Sequence, residues 1–366
     1  MYSIAMSGIA GILKRDGGPV PENWPSILEQ PLLMSSSRTY RFEDSIPIQN
    51  GSLHILLLGS GSGSRTGSGT KDGVREICDG EDWDECAYAH WHEETLQLEL
   101  GRRGTGRKPL YWLDLDEVGD GLLFSSNPMP LLKIAEELDL PTELQQGVAE
   151  YLQLGYAVEG GALLSPICSM PIEEKFPEIC TGARAVEAGI ASTPAEDLKT
   201  LVTILGKPFA DYTLLSKLWQ YRSAKDKGIA VLDGTLNPTD SVSPFLERVV
   251  QPSGTALLHK AHRAVAKRIE LGVLAEYVGV QLHVSEDMEP IPPVSFPMSS
   301  WLKNPVSSLG ELAEKTFECP EAFCGLSIEQ EACRALLNSH QSGDEEHGEQ
   351  IFALLTLLLW RLQVLA

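Results

Sequence analysis

At 366 residues and 43% hydrophobic content, the chain is long enough for about two domains with packed cores. Its formal net charge of −22 leaves no basic stripe to release counterions from phosphates, which argues against nucleic acid and anionic membranes as partners. The seven cysteines, Cys78, Cys86, Cys168, Cys180, Cys319, Cys324 and Cys333, include no Cys-x-x-Cys pair, as expected of free thiols in a soluble, cytoplasmic protein.

In chain order, the first third alternates short apolar strands with turns. Strands are expected at 9–13, 53–58, 86–92, 95–100, 109–113 and 122–125, the pattern of antiparallel sheets in a sandwich. Residues 59–70 are rich in Gly and Ser like a flexible linker, and they lack the Gly-Lys-Ser/Thr ending of a P-loop. His90 and His92 alternate along one strand beside Glu93, with no third ligand at a metal-site spacing, so a surface strand pair and no metal are expected.

From about 143 onward helical periodicity dominates. Helices are expected at 197–205, 214–225, 255–270, 309–317, 328–339 and 350–365, with a parallel-type strand at 228–232. The helix at 255–270 gathers His259, His262, Lys260, Arg263, Lys267 and Arg268 into a basic, solvated face. Gly343 and Gly348 put His340 and His347 at turns or helix ends. The apolar run 351–359, continued by Trp360, Leu362, Val364 and Leu365, is too short to cross a bilayer and reads as a buried terminal helix. Residues 1–13 show no signal-peptide pattern.

Several short motifs then stand in a telling order. Ser7-Gly8-Ile9-Ala10-Gly11-Ile12-Leu13 opens the chain, and Tyr40-Arg41-Phe42-Glu43-Asp44 follows it. Next come an arginine-rich turn ending Lys108-Pro109-Leu110-Tyr111-Trp112 and the strand Leu123-Phe124-Ser125-Ser126. Gly206-Lys207-Pro208-Phe209-Ala210-Asp211-Tyr212-Thr213, Pro244-Phe245-Leu246-Glu247, Trp301-Leu302 and the stretch from His340 to Gly348 complete the series. This order resembles the asparagine synthetase family, in which a class II glutamine amidotransferase domain precedes an asparagine synthase domain. The resemblance implies an α+β N-terminal-nucleophile sandwich followed by a shortened, mostly helical α/β adenylate-forming-type domain. Residues 1–140 would be glutaminase-like and 141–366 asparagine-synthase-like.

The departures from the family bear on chemistry. Ser7 stands at the place of the nucleophilic cysteine, a vestigial position, six residues in from the start as written. It therefore lacks the free α-amine that serves such nucleophiles as general base, unless translation starts at Met6. A small residue packed at the start of a buried strand accounts for it without chemistry. Arg41 matches the arginine that holds the glutamine α-carboxylate, and Asp211 is the matching candidate in the synthase half. The family's Asn-Gly-Glu oxyanion segment is replaced by the linker-like 59–70.

No Ser-Gly-Gly pyrophosphate loop occurs anywhere, and the strand at 228–232 runs into Asp233-Gly234-Thr235-Leu236-Asn237-Pro238 instead of a Gly-rich loop. Leu236 and Pro238 replace residues that let backbone approach a ligand. Lys207 stands where the family has glutamate. The expectation is a protein that has lost glutaminase and ligase activity, binds no cofactor, and serves as a structural or regulatory subunit among protein partners. Protein partners follow because excised site elements would uncover apolar surface. The alternative is an active asparagine synthetase or related amide ligase, glutamine- or ammonia-dependent, that needs ATP and Mg2+. A transcript lacking exons would leave the same gaps.

Overall fold

The structure is a computed structural model describing residues 8–15, 18–33, 39–48, 51–60, 74–79, 86–104, 107–115, 118–119, 121–158, 161–169, 194–226, 231–232, 266, 269–280, 282–283 and 297–366. The chain divides into two compact units. The first comprises Met1–Pro141, Pro166–Glu178 and Arg268–Gly279, and the second Thr142–Ser165, Ile179–Lys267 and Val280–Ala366. A sheet-rich, antiparallel N-terminal region thus precedes a helical C-terminal one, a mixed α+β architecture.

The first unit holds β1 (Gly8–Lys14), α1 (Trp24–Leu33), β2 (Thr39–Ile48), β3 (Gly51–Ser60), β4 (Val74–Asp79), β5 (Ala87–His92) and β6 (Gln97–Arg102). It continues with β7 (Tyr111–Asp114), β8 (Gly121–Ser125), α2 (Pro128–Glu137) and β9 (Cys168–Ser169). A helix over 269–278, α6, completes it. β1 is apolar up to its last residue, Lys14, and buried along almost its whole length, which suits a central strand covered on both faces. It pairs antiparallel with β3 and β8 in a six-stranded sheet of order β2-β3-β1-β8-β7-β9.

One face of that sheet packs on the three-stranded sheet β4-β5-β6, where Ile9, Leu13, Leu57 and Phe124 meet Ile77, Ala89 and Trp91. α1 packs against β1 and β3, and α2 against α1, β7 and β8. Asn127 starts α2 by accepting the Met129 N–H at 2.9 Å, with Pro128 pre-set in the first turn.

The second unit holds α3 (Leu144–Leu154), α4 (Pro194–Leu205), α5 (Thr213–Asp226), β10 (Val231–Leu232) and β11 (Leu282–His283). It ends in α7 (Met298–Lys303), α8 (Ser308–Glu318), α9 (Gln330–Ser342) and α10 (Gly348–Leu365). β10 and β11 pair in parallel and are the only strands of this unit among the described residues. α10 has the length and hydropathy of a membrane-crossing helix, more than the apolar run 351–359 suggested, but 61% of it is buried inside the protein. Polar side chains on α10 are used inward. Thr356 Oγ1 donates to the Phe209 carbonyl at 2.8 Å and lies 2.8 Å from the Tyr151 hydroxyl, while Trp360 Nε1 donates to the Gly206 carbonyl at 3.1 Å.

The expected strands form within a few residues of their expected places. The one placed at 95–100 begins later, because residues 93–96 make a turn with Leu96 at φ 53°. β2, β4, α1 and α2 correct the expectation of strands and turns alone in the first third. Most of the helix expected at 255–270 lies outside the described residues, and α6 continues to 278.

Gly147 decides how closely α3 approaches the 3-10 turn Ala162–Leu164, since a Cβ there would overlap the backbone of Ala162 and Leu163. Helix propensity favours Gly147→Ala by about 1 kcal/mol, but displacing a rigid backbone costs about 1–3 kcal/mol. The expected outcome is a net loss of stability and a lower midpoint in chemical denaturation.

Candidate functional site

The described residues begin at Gly8, so Ser7 lies outside them, as do 61–70, Cys180, the segment after Leu232 with Pro244–Glu247, and the basic positions His259, Lys260, His262, Arg263, Lys267 and Arg268. The start of β1 leads directly to a charged cluster in the first unit. Ile9 N donates to Ser126 Oγ at 2.9 Å, Ser126 N returns a bond to the Ile9 carbonyl at 2.8 Å, and Ser126 Oγ donates to Asp79 Oδ2 at 3.2 Å. The other oxygen of Asp79, Oδ1, takes the Lys108 ammonium at 2.8 Å. Lys108 Nζ also donates to Glu276 Oε1 at 2.5 Å, joining the turn before β7 to α6.

Asp79 is 2% exposed, and Lys108 and Glu276 side chains are 16% exposed each. Arg102 Nε holds the Lys108 carbonyl at 2.7 Å and so fixes the turn that presents the ammonium. Gly272 lets α6 come close, because a Cβ there would stand 3.0 Å from the Arg107 Cβ. Burial pulls the Lys108 pKa down, but the charges of Asp79 and Glu276 outweigh burial and hold it above the usual lysine value. An ammonium so fixed has no lone pair to offer as base or nucleophile at neutral pH. Its chemistry is that of a tie.

Arg41 and Asp211 are likewise engaged. The Arg41 guanidinium reaches Glu29 at 2.9 Å and Glu43 at 3.0 Å, with Arg41 42% and Glu43 62% exposed. The hydrogen bond that Arg41 donates to Glu43 leads the effects that raise its pKa. Asp211 Oδ1 accepts the Thr213 N–H at 3.0 Å and the Thr213 hydroxyl at 2.5 Å, capping the start of α5. The segment around it is pinned through its carbonyls at Gly206 and Phe209 to α10, and by Ala210 N to the Gly155 carbonyl at 2.9 Å. Lys207 is 2% exposed.

His90 and His92 share the face of β5 opposite the core. His90 lies 3.7 Å from Glu76 and 3.8 Å from Glu99, and His92 3.6 Å from Glu99, each from ring nitrogen to carboxylate oxygen. Tyr88 OH donates to the other Glu99 oxygen at 3.3 Å. Among the described residues no group of three or more His, Cys, Asp or Glu side chains is arranged to hold a metal ion. His340, at the end of α9, is buried. It bonds the Ser299 carbonyl through Nε2 at 3.1 Å and accepts the His347 N–H at Nδ1 at 3.2 Å. Through these two bonds it holds α7 and the start of α10.

Sequence reasoning placed Lys108 and Ser126 in quoted motifs without seeing their partners. Asp79 and Glu276 carried no signal at all, since Lys108 and Glu276 are separated by 168 positions. No protein-family model matches the chain, and no curated protein matches it.

Lys108→Met leaves Asp79 and Glu276 facing each other without their cation, and the expected cost is about 3–5 kcal/mol. The triple variant Lys108→Met, Asp79→Asn, Glu276→Gln removes the uncompensated charge and recovers most of that loss in urea denaturation. For His90, burial lowers its pKa below the usual 6.5, with Glu99 opposing. A folded-state pKa below the unfolded one means the unfolded chain binds the proton better, so stability is lost as pH falls through about 6.5 and below. His90→Asn flattens that part of the pH–stability curve relative to the parent protein.

Proposed function

We propose that this chain is an asparagine-synthetase-like protein that no longer hydrolyses glutamine or forms an amide, and that serves as a structural or regulatory subunit of a larger assembly. In this reading the first unit is a glutaminase-type N-terminal-nucleophile sandwich. The second is a shortened, mostly helical adenylate-forming-type domain.

The observation that carries the reading is how the candidate substrate contacts are used. A substrate-clamping arginine is held in a sheltered pocket, whereas Arg41 is 42% exposed and lies against Glu29 and Glu43 of its own chain. Asp211 commits one carboxylate oxygen to the cap of α5, and its segment is tied by carbonyls to α10. Lys108 of the first unit is held charged between two carboxylates. The missing pyrophosphate loop and the linker-like composition of 61–70, beyond the end of β3 at Ser60, point the same way.

Among the described residues Cys78, Cys86, Cys168, Cys319, Cys324 and Cys333 are thiols outside any disulfide. Burial pushes Cys86 up to about 12, with nearby Cys78 adding to it, and burial pushes Cys333 up to about 11. Such thiols are inert packing groups. Reduced thiols suit the cytoplasm, where we place the protein.

The purified protein is expected to show no aspartate-dependent exchange of labelled pyrophosphate into ATP, and no release of glutamate from glutamine beyond that of a Ser7→Ala variant. Exchange above background, or glutamate release abolished by Ser7→Ala, defeats the reading and returns the ligase.

A further inference from the structure

The strand β2 offers a surface that the proposed function does not use. It runs ten residues in unbroken antiparallel register with β3, and among the described residues it is the outermost strand of the six-stranded sheet. Half of an edge strand's N–H and C=O groups point away from its neighbour, so a long edge is a template for another strand. Natural edges are guarded with charge. Here the order of the charges decides which strand the edge accepts.

Arg41 and Glu43 are two residues apart, share one face and are exposed. Parallel addition of an identical strand in register sets Arg41 beside Arg41 and Glu43 beside Glu43, which repels. Antiparallel addition about a two-fold axis normal to the sheet keeps same-face residues together, so the axis must pass at a residue. Centred on Arg41 or on Glu43, the axis pairs that charge with its own copy. Centred on Phe42, it pairs Arg41 of each strand with Glu43 of the other, and Phe42 with Phe42. Phe42 already packs against the core on the opposite face. Pairing over 39–45 also leaves Pro47, which cannot donate, beyond the contact.

We infer that β2 is a dimerisation edge: a second copy of this chain adds antiparallel to it, centred on Phe42, and extends the sheet across both copies. The contact is isologous, as two-fold symmetry requires. Exchanging the Arg41–Glu43 pair within each of the two chains for two such pairs between them costs little, because an exposed ion pair contributes little to stability. Arg41 keeps Glu29 on the other arm of its fork. The inference stands on the strand's geometry and holds whether or not the chain makes an amide.

The test is sedimentation equilibrium of the full-length chain over a range of concentrations, with circular dichroism to verify that each variant is folded. The parent is expected to show a concentration-dependent dimer. Arg41→Glu and Glu43→Arg each set two pairs of like charges across the edge and are expected to weaken dimerisation by roughly tenfold or more. The double variant, Arg41→Glu with Glu43→Arg, restores opposite charges and is expected to restore the dimer. A monomer at every concentration overturns the inference. So does a dimer that the single reversals leave unmoved, or that the double reversal fails to rescue.

Discussion

The first unit depends on one ammonium. Lys108 stands between Asp79 at the end of β4 and Glu276 on α6, and Asp79 passes the connection through Ser126 to the backbone of Ile9 in the central strand. A buried carboxylate facing a partly buried one would lose hydration and be repelled as well; a single cation between them removes the repulsion and satisfies one oxygen of each. The same contact explains why α6 belongs to this unit although the residues on either side of it belong to the other. Apolar burial supplies the bulk of the holding energy, with Ile269, Leu271, Leu274 and Ala275 all buried. Lys108 fixes where along the sheet that burial happens.

The second unit applies the same logic with neutral groups. α10 is apolar enough to be promiscuous in packing, and greasy surfaces slide. Thr356, Trp360 and Arg361 prevent it by donating to specific carbonyls, those of Phe209, Gly206 and Cys324. Each bond is worth about 0.5–1.5 kcal/mol net, but leaving the buried partner unmet costs more, so the register of α10 against residues 206–209 is set by penalty as much as by gain. Gly325, at φ 77°, leaves the space that the Arg361 guanidinium fills.

What the sequence made legible follows from where apolar residues are concentrated. β1 and β3 have apolar runs because helices cover one face of their sheet and a second sheet covers the other, and such runs are readable without knowing the partner. β2 is as long as β3 yet reads Thr-Tyr-Arg-Phe-Glu-Asp-Ser-Ile-Pro-Ile; at an edge, solvent and charge replace the apolar signal. α1 and α2 were obscured by prolines, although Pro128 sits at the first turn, where the missing N–H does no harm. The candidate site divides the same way. Motif order drew attention to Arg41, Asp211, Lys108 and Ser126. Glu29, Asp79 and Glu276 could not be read, because a contact between distant segments leaves no periodicity in either of them.

Charge balance bears on what this surface can do. With 29 basic and 51 acidic residues, carboxylates outnumber the cations available to pair with them. Arg222 meets Asp197, Lys315 meets Glu311, and Arg334 meets Glu331. Exposed pairs of this kind are loosely held and screened by salt. Partly buried ones, like that of Lys108, are screened much less. The same excess of acid that would repel a phosphate or a free carboxylate leaves the exposed arginines as the places where another carboxylate-bearing surface can attach. The proposed edge contact uses Arg41 in this way, since Glu43 beside it is exposed enough to be exchanged and both sit on the outermost described strand of the sheet. A residue that resembles a substrate clamp by motif is thus, by its surroundings, half of an exposed and exchangeable ion pair.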